Sequence, residues 1–205
     1  MRLVLIRHGA TGGNAQRRYV GARTDEPLSE EGRAQCRRAG AFPQVKRVYV
    51  SPLLRARQSA NICFPEAQVV VVPGLEEYDF GIFEGRTAQE MERDEAYRTW
   101  VEGGCVGRCP GGESRDEYVE RSNAALAGLL CEAADRGETE VVVVAHGGTI
   151  MAAMSVFARS QEGVDDYYRW HVGTCEGYVA TAHLQGAGLV LADCRRFSEI
   201  PIPHA

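Results

Sequence analysis

Two histidines each stand before a glycine at the end of an apolar run. His8 closes residues 3–7 in Arg7-His8-Gly9, and His146 closes residues 141–145 in His146-Gly147-Gly148. Arg7 accompanies the first directly. Arg55 follows a further apolar run, just past Ser51-Pro52, and Glu76-Glu77 follow Pro73-Gly74. This set suits phosphoryl transfer and few other reactions. A phosphoryl group in transfer spreads negative charge over three equatorial oxygens, which permanently charged arginine forks can bind in pairs. Glycines let backbone N–H groups approach those oxygens, and helix N-termini add partial positive charge. A neutral imidazole can form a covalent intermediate. A carboxylic acid can protonate the leaving oxygen and then activate water. The sequence has no Walker loop, no kinase set and no carboxylate cluster for two metals. Arg7, Arg55, His146 and the glycine amides would supply the charge that Mg²⁺ otherwise brings, so neither metal nor cofactor is expected.

These residues can meet only if secondary structure holds them on one edge. Residues 3–6 read as a strand, followed by a glycine-rich loop through Gly9, Gly12 and Gly13. Ser29 reads as the N-cap of a helix to about Gly40, with Glu30 and Glu31 suiting its positive end. Residues 45–50 read as a second strand. Ser51-Pro52 then cap and start a helix with proline at its first position, and Leu53, Ala56, Ala60 and Cys63 or Phe64 form its apolar stripe. Residues 68–72 are a third strand. A short polar helix over about 87–100 and a stretch ending in Pro110-Gly111-Gly112 suggest a lid-like insertion at about 76–114, within a single domain spanning 1–205. A long helix over 114–134 carries Val119, Leu126, Leu129, Leu130 and Ala133 on one face. The apolar strand 141–145 leads into His146 and another helix, and residues 177–184 and 189–197 form a hairpin around Gly186. Alternating strands and helices predict a mostly parallel sheet covered on both faces, and the hairpin requires one antiparallel strand. Ligands bind beyond the carboxyl ends of such strands, where the residues above fall.

The net charge of -5 and the lack of a basic stripe exclude a general nucleic-acid binder. No stretch approaches the ~18 apolar residues of a membrane span. The chain starts directly with a strand, where a signal peptide needs a basic region and a longer apolar one, so a cytoplasmic location is expected. Lys46 is the single lysine among 23 basic residues. Arginine is therefore the default cation here, and only its position marks one as a phosphate ligand. The seven cysteines are scattered and odd in number, unlike a disulfide scaffold. Cys105 and Cys109 have no second pair at metal-ligand spacing, and all seven read as reduced thiols without a role.

At this point the chain resembles the histidine phosphatase superfamily, the group that includes cofactor-dependent phosphoglycerate mutase. Residues 5–14, Leu-Ile-Arg-His-Gly-Ala-Thr-Gly-Gly-Asn, look like the family's R-H-G-x-T-x-x-N opening. Tyr19-Val20-Gly21 and Pro27-Leu28-Ser29-Glu30-Glu31-Gly32 match the next block. Residues 51–60 look like its second phosphate-pocket segment, and residues 75–85 like its general-acid segment. Pro110-Gly111-Gly112-Glu113-Ser114 and His146-Gly147-Gly148 complete a series in the family's order, covering nearly the whole chain.

The resemblance implies a three-layer α/β/α sandwich, mostly parallel with one antiparallel strand. It implies His8 as nucleophile, Arg7, Arg55 and His146 as phosphoryl ligands, and Glu77 as proton donor. Asn14, Gly21 and the Gly147 amide are its substrate-binding residues. The activity implied is hydrolysis of a small phosphorylated metabolite through a phosphohistidine. The alternative is a phosphoglycerate mutase-type phosphotransferase. The family's mutases carry paired arginines in an insertion, whereas Arg86, Arg93, Arg98, Arg108 and Arg115 are single, and Val20-Gly21-Ala22 replaces a Ser or Thr, with a Trp after the glycine. Both differences favour water as acceptor. Chain length and the F-x-E-G and P-G-G-E-S blocks look most like alpha-ribazole phosphatases and similar broad-range phosphatases. A catalytically dead binding protein on this fold is disfavoured because every catalytic residue is present. Glu76 and Glu84 compete with Glu77, Glu113 reads as a helix N-terminal charge, and Arg57 points elsewhere on its helix. His171, His183 and His204 receive no role. Tyr19, Tyr78, Phe80, Phe83 and Trp100 read first as core or lid packing.

Overall fold

The computed structural model describes residues 1–158, 167–185 and 188–202. Six strands form one sheet: β1 (Arg2–Arg7), β2 (Arg47–Val50), β3 (Gln68–Val71), β4 (Glu140–Ala145), β5 (Gly177–Gln185) and β6 (Gly188–Phe197). Their spatial order is β3-β2-β4-β1-β5-β6. β1 runs parallel to β4, β2 runs parallel to both β3 and β4, and β5 is antiparallel to β1 and β6. The expected single antiparallel strand is therefore β5. The turn expected around Gly186, and His204, lie outside the described residues.

The sheet is covered on both faces because its strands are apolar on both sides. Leu3 and Leu5 of β1 and Val141 and Val143 of β4 pack with Leu126, Leu129 and Leu130 of α5 (Arg115–Asp135) and Ile150 and Met154 of α6 (Gly147–Phe157). The alternate residues Val4, Ile6, Val142 and Val144 face the other way. They meet Cys36 of α2 (Glu30–Ala39) and Ala56, Ala60 and Cys63 of α3 (Leu54–Cys63). Two further helices are the single turn α1 (Gly12–Ala15) and α4 (Glu95–Glu102). A third apolar cluster, with Tyr78, Phe83, Met91, Tyr97, Trp100 and Tyr118, lies under residues 76–114.

The caps explain several boundaries. Ser29 accepts from Gly32 N–H and opens α2, and Ser114 forms a capping box with Glu117 at the start of α5. Two expectations are corrected. α3 does not begin at Pro52. It begins at Leu54, whose N–H donates to Asp25 Oδ1 at 2.5 Å, while the Ser51 hydroxyl accepts from Leu53 N–H at 3.3 Å and lies 2.7 Å from His146 Nε2. The helix expected over 87–100 is a run of turns followed by α4, because Asp94 caps the later start by accepting from Ala96 and Tyr97 N–H. All seven cysteines are free thiols.

Candidate active site

The sheet register places the site. Arg7 pairs with Ala145, and Val50 pairs with Val144. The next residues along, His8, His146 and Ser51, therefore emerge in one row at the carboxyl edge. His8 N–H donates to Ala145 O at 3.0 Å, and Ser51 N–H to Val144 O at 3.1 Å.

The side chain of His8 is buried beneath this edge. Its Nδ1 lies 2.6 Å from Gly9 O, and its Nε2 accepts from Arg55 Nε at 3.3 Å. Guanidinium can only donate, so the network assigns the proton to Nδ1 and leaves a lone pair on Nε2. The His146 ring stands 5.2 Å away, centroid to centroid, at 64°. His146 Nε2 is 2.7 Å from Ser51 Oγ, and its buried Nδ1 has no protein partner. Burial, then the charges of Arg55 and Arg7, hold His8 well below the usual histidine range. Burial followed by Arg55, His8 and Arg7 does the same to His146. Both rings are neutral at neutral pH.

The two arginines are held by backbone carbonyls. Arg55 is fully buried, and its Nη1 and Nη2 donate to Thr24 O at 2.7 Å and Gly21 O at 3.1 Å. Arg7 donates from Nη1 to Val172 O at 2.7 Å, while its buried Nε has no partner. Burial lowers both guanidinium values and Glu77 partly offsets this, yet arginine remains cationic at any ordinary pH.

Three carboxylates compete for the acid position, and their partners separate them. Glu76 accepts from Gly74 N–H and Arg121. Glu84 accepts from Gly21 N–H, Arg23 N–H and Thr24 Oγ1. Glu77 is the strongest carboxylate neighbour of both Arg7 and Arg55. Its Oε1 accepts from Tyr118 Oη at 2.8 Å and Tyr78 N–H at 2.9 Å, and its Oε2 from Gly148 N–H at 3.1 Å. Glu113 is bound to Arg121 and to Asp79 N–H, away from the histidines.

The remaining expected contacts differ in kind. Gly147 is the first residue of α6, and its N–H has no acceptor among the described residues, as a helix N-terminus leaves it. Asn14 Oδ1 accepts from Thr11 N–H inside a capping box. Gly21 spends its N–H on Glu84 and its carbonyl on Arg55, which makes it a prop for the arginine. Arg57, His171 and His183 are exposed; His171 adjoins Val172, the carbonyl partner of Arg7, and burial and then the Arg7 charge lower its pKa. Among the described residues, no three His, Cys, Asp or Glu side chains come together as a metal ion would need.

Beyond Glu77 and Gly148 opens a cavity of about 400 Å³, also lined by Tyr19, Tyr78, Phe80, Trp100, Cys105, Arg115, Met151, Tyr167 and Tyr168. Four of the aromatics expected to pack the core or lid thus face a void, while Phe83 is fully buried. Sequence reasoning missed Tyr118, which reads as one more apolar position of α5. It also took Ser51 for a helix cap. No local signal marks either contact, because both partners lie on other elements.

A covered, mostly parallel sheet with paired histidines and arginines at its carboxyl edge sets the class of protein. The chain belongs to the histidine phosphatase superfamily (branch 1), whose family model matches residues 3–194. In structure it is similar to the alpha-ribazole phosphatase from Shigella flexneri, with a TM-score of 0.74 and 23% identity, covering 93% of this chain and 94% of that one. It is also similar to a phosphoglycerate mutase from Thermus thermophilus, with a TM-score of 0.66 and 30% identity, covering 88% and 92%. In sequence it is 34% identical over 137 residues to the protein named "Probable phosphoglycerate mutase GpmB" in Enterobacter sp. (strain 638). That match spans 63% of this chain and 63% of the relative's length. No helix among the described residues is long and apolar enough to cross a membrane.

Proposed function

We propose that the protein hydrolyses a small-molecule phosphomonoester by transferring its phosphoryl group to His8 and then to water, without a metal ion. The observation that carries this reading is the set of uncommitted donors around the His8 lone pair. Arg7 Nε, His146 Nδ1 and the Gly147 amide lie at one strand edge, the first two buried without partners. Buried donors left unpaired are costly in an empty pocket. A phosphoryl group satisfies them, fixing His146 as the Nδ1–H tautomer with Ser51 donating to its Nε2.

The His8 Nε2 lone pair attacks phosphorus and the bond to the ester oxygen breaks. Its electron pair goes to that oxygen, which takes the proton of the Glu77 carboxylic acid. Arg7 and Arg55 bind the equatorial oxygens. Water then attacks the phosphohistidine, gives its proton to Glu77, and the N–P electron pair returns to Nε2. His8 needs no deprotonation beforehand, because burial and both arginines keep it neutral.

Hydrolysis of p-nitrophenyl phosphate should proceed in EDTA and vanish in His8→Ala, and ³²P should be trapped on His8 after acid-free quenching. Full activity in His8→Ala overturns the nucleophile assignment, and loss of activity in EDTA overturns metal independence. The mutase reading is favoured by the names of the Thermus and Enterobacter proteins. Against it, the cavity beside Glu77 is lined by a single cation among the described residues, Arg115, where phosphoglycerate brings a further carboxylate. With 3-phosphoglycerate and a priming bisphosphate, release of inorganic phosphate should exceed interconversion, and the reverse result selects the mutase.

A further inference from the structure

We propose that Cys36 and Cys175 form a redox-active pair beneath the His8 loop, which a small hydroperoxide closes to a disulfide that disables the site. The disulfide stands on geometry, and only its effect on turnover rests on the phosphatase reading.

Two sulfurs from distant parts of the chain meet inside the fold. Cys36 Sγ on α2 lies 3.7 Å from Cys175 Sγ, in the loop that enters β5, although 139 residues separate them. Cys63 of α3 lies alongside, its Sγ 3.6 Å from Cys36 O. A buried cysteine is ordinarily a small apolar filler. Two features set Cys175 apart from that role. Its backbone is left-handed, with φ 61°, a conformation that glycine or asparagine holds at less cost. Its thiol also meets another thiol, within an apolar cluster that offers aliphatic partners on every side.

The pair borders the nucleophile. Cys175 N–H donates to Arg7 O at 3.0 Å and to His8 O at 3.4 Å. A Cβ on Gly9 would lie 2.8 Å from Cys36 Sγ, so the loop after His8 rests on that sulfur. Gln35 Oε1, one residue before Cys36, accepts from Ala10 N–H at 3.0 Å and from Thr174 Oγ1 at 2.9 Å. α2, the His8 loop and the turn at Thr174 and Cys175 are therefore tied at one point. A disulfide holds its sulfurs at about 2.05 Å. Drawing them in from 3.7 Å shifts the backbone that carries His8.

Cys36 is fully buried and Cys175 is 9% exposed, so the oxidant must be small and uncharged, as hydrogen peroxide is. Hydrogen bonds from Cys175 and then Cys63 lower the Cys36 thiol against the effect of burial, which makes Cys36 the attacking thiolate. Its sulfur attacks one peroxide oxygen. An S–O bond forms, the O–O bond breaks, and hydroxide leaves as water with the proton that Cys36 gave up. The Cys175 sulfur then attacks the sulfenic sulfur. The S–S bond forms, the S–O bond breaks, and hydroxide leaves as water with the Cys175 proton. Two thiols are oxidised by two electrons, and the peroxide is reduced to two waters.

The probe is hydrogen peroxide, added to the reduced protein. The protein should lose two hydrogens by mass, and a non-reducing tryptic map should join residues 34–37 to the peptide that holds Cys175, with fragmentation assigning the link. Turnover of p-nitrophenyl phosphate should fall by about 10²-fold, as a misplacement of about 1 Å can cost, and return with dithiothreitol. Cys36→Ser and Cys175→Ser should each keep the untreated rate and resist peroxide, with Cys36→Ala replacing the first if it fails to fold. Cys131→Ser, which removes the exposed thiol of α5, should respond as the parent does. The proposal is overturned by the absence of a joined peptide, by a joined peptide with unchanged turnover, by inhibition that persists in Cys36→Ser and Cys175→Ser, or by inhibition that needs Cys131. If the untreated protein hydrolyses no ester, the phosphatase reading fails alone, and the joined peptide still decides the disulfide.

Discussion

Tyr118 reaches Glu77, the proposed acid, from a helix that lies outside every motif. Its hydroxyl donates to Glu77 Oε1 and sits 3.2 Å from Thr149 Oγ1, so a fully buried phenol fixes where the carboxyl points. Proton donation matters most when the leaving group is a poor one. Glu77→Gln should therefore lower kcat for ethyl phosphate by about 10²–10⁴-fold and affect p-nitrophenyl phosphate far less. Tyr118→Phe should show the same leaving-group dependence in weaker form, with KM little changed. Equal losses on both esters would assign Tyr118 a packing role only. A second consequence concerns stability. The folded protein keeps His8 and His146 neutral, whereas both protonate near the ordinary value of 6.5 once unfolded. Above that pH neither state binds the proton and the histidines contribute no slope. As pH falls below about 6.5 the unfolded chain takes up protons that the native one refuses. Stability should then drop by up to about 1.4 kcal/mol per pH unit for each histidine. Thermal melts between pH 7.5 and 5 check this, and His146→Asn should flatten the slope. His8, Arg7, Arg55 and His146 were legible because each sits at a fixed offset from a strand end or a Ser-Pro pair. Tyr118 was not, because its spacing in α5 is that of the core stripe.

At the scale of elements, α2 braces the loop that carries His8. Ala10 O accepts from both Ser29 N–H and Ser29 Oγ at 3.0 Å, and Ala10 N–H donates to Gln35. The approach is so close that a Cβ on Gly32 would lie 1.9 Å from Ala10 O. Gly32→Ala should cost about 1–3 kcal/mol as overpacking, which in a chain of this size lowers Tm by roughly 2–4 °C per kcal/mol. It should also lower kcat, because the displaced segment adjoins His8. A calorimetric scan and a rate assay decide it, and an unchanged Tm would deny α2 the bracing role. Strands and their order of use were legible from apolar runs and the residues that end them. The start of α3 was not. Ser51-Pro52 has the composition of a helix cap, but the hydroxyl meets Leu53 N–H and His146, and Asp25 from a distant loop binds Leu54 N–H at the helix start. Residues 76–114 were legible only as an irregular stretch, since their aromatics look alike whether they fill a core or line a cavity.

At the scale of the molecule, a chain of net charge -5 holds the buried cations Arg7 and Arg55 together at one strand edge. Anything that binds this edge in the native state and not in the unfolded one must stabilise the fold. Orthovanadate, a tetrahedral oxyanion, should add about 2.7 kcal/mol at a hundred times its Kd, and Arg7→Gln should lose most of the accompanying rise in Tm. Absence of a rise in the parent protein would remove the oxyanion site. The sheet order carries one more consequence. β1 sits between β4 and β5, with Arg2 opposite Glu140 on one side and Thr181 on the other. The strand that presents His8 thus precedes both of its neighbours in the chain and is among the last to gain them, since contacts distant along the chain form late and slowly. A nascent chain should remain inert until β5 has emerged, so the onset of catalysis during synthesis would time the completion of the sheet.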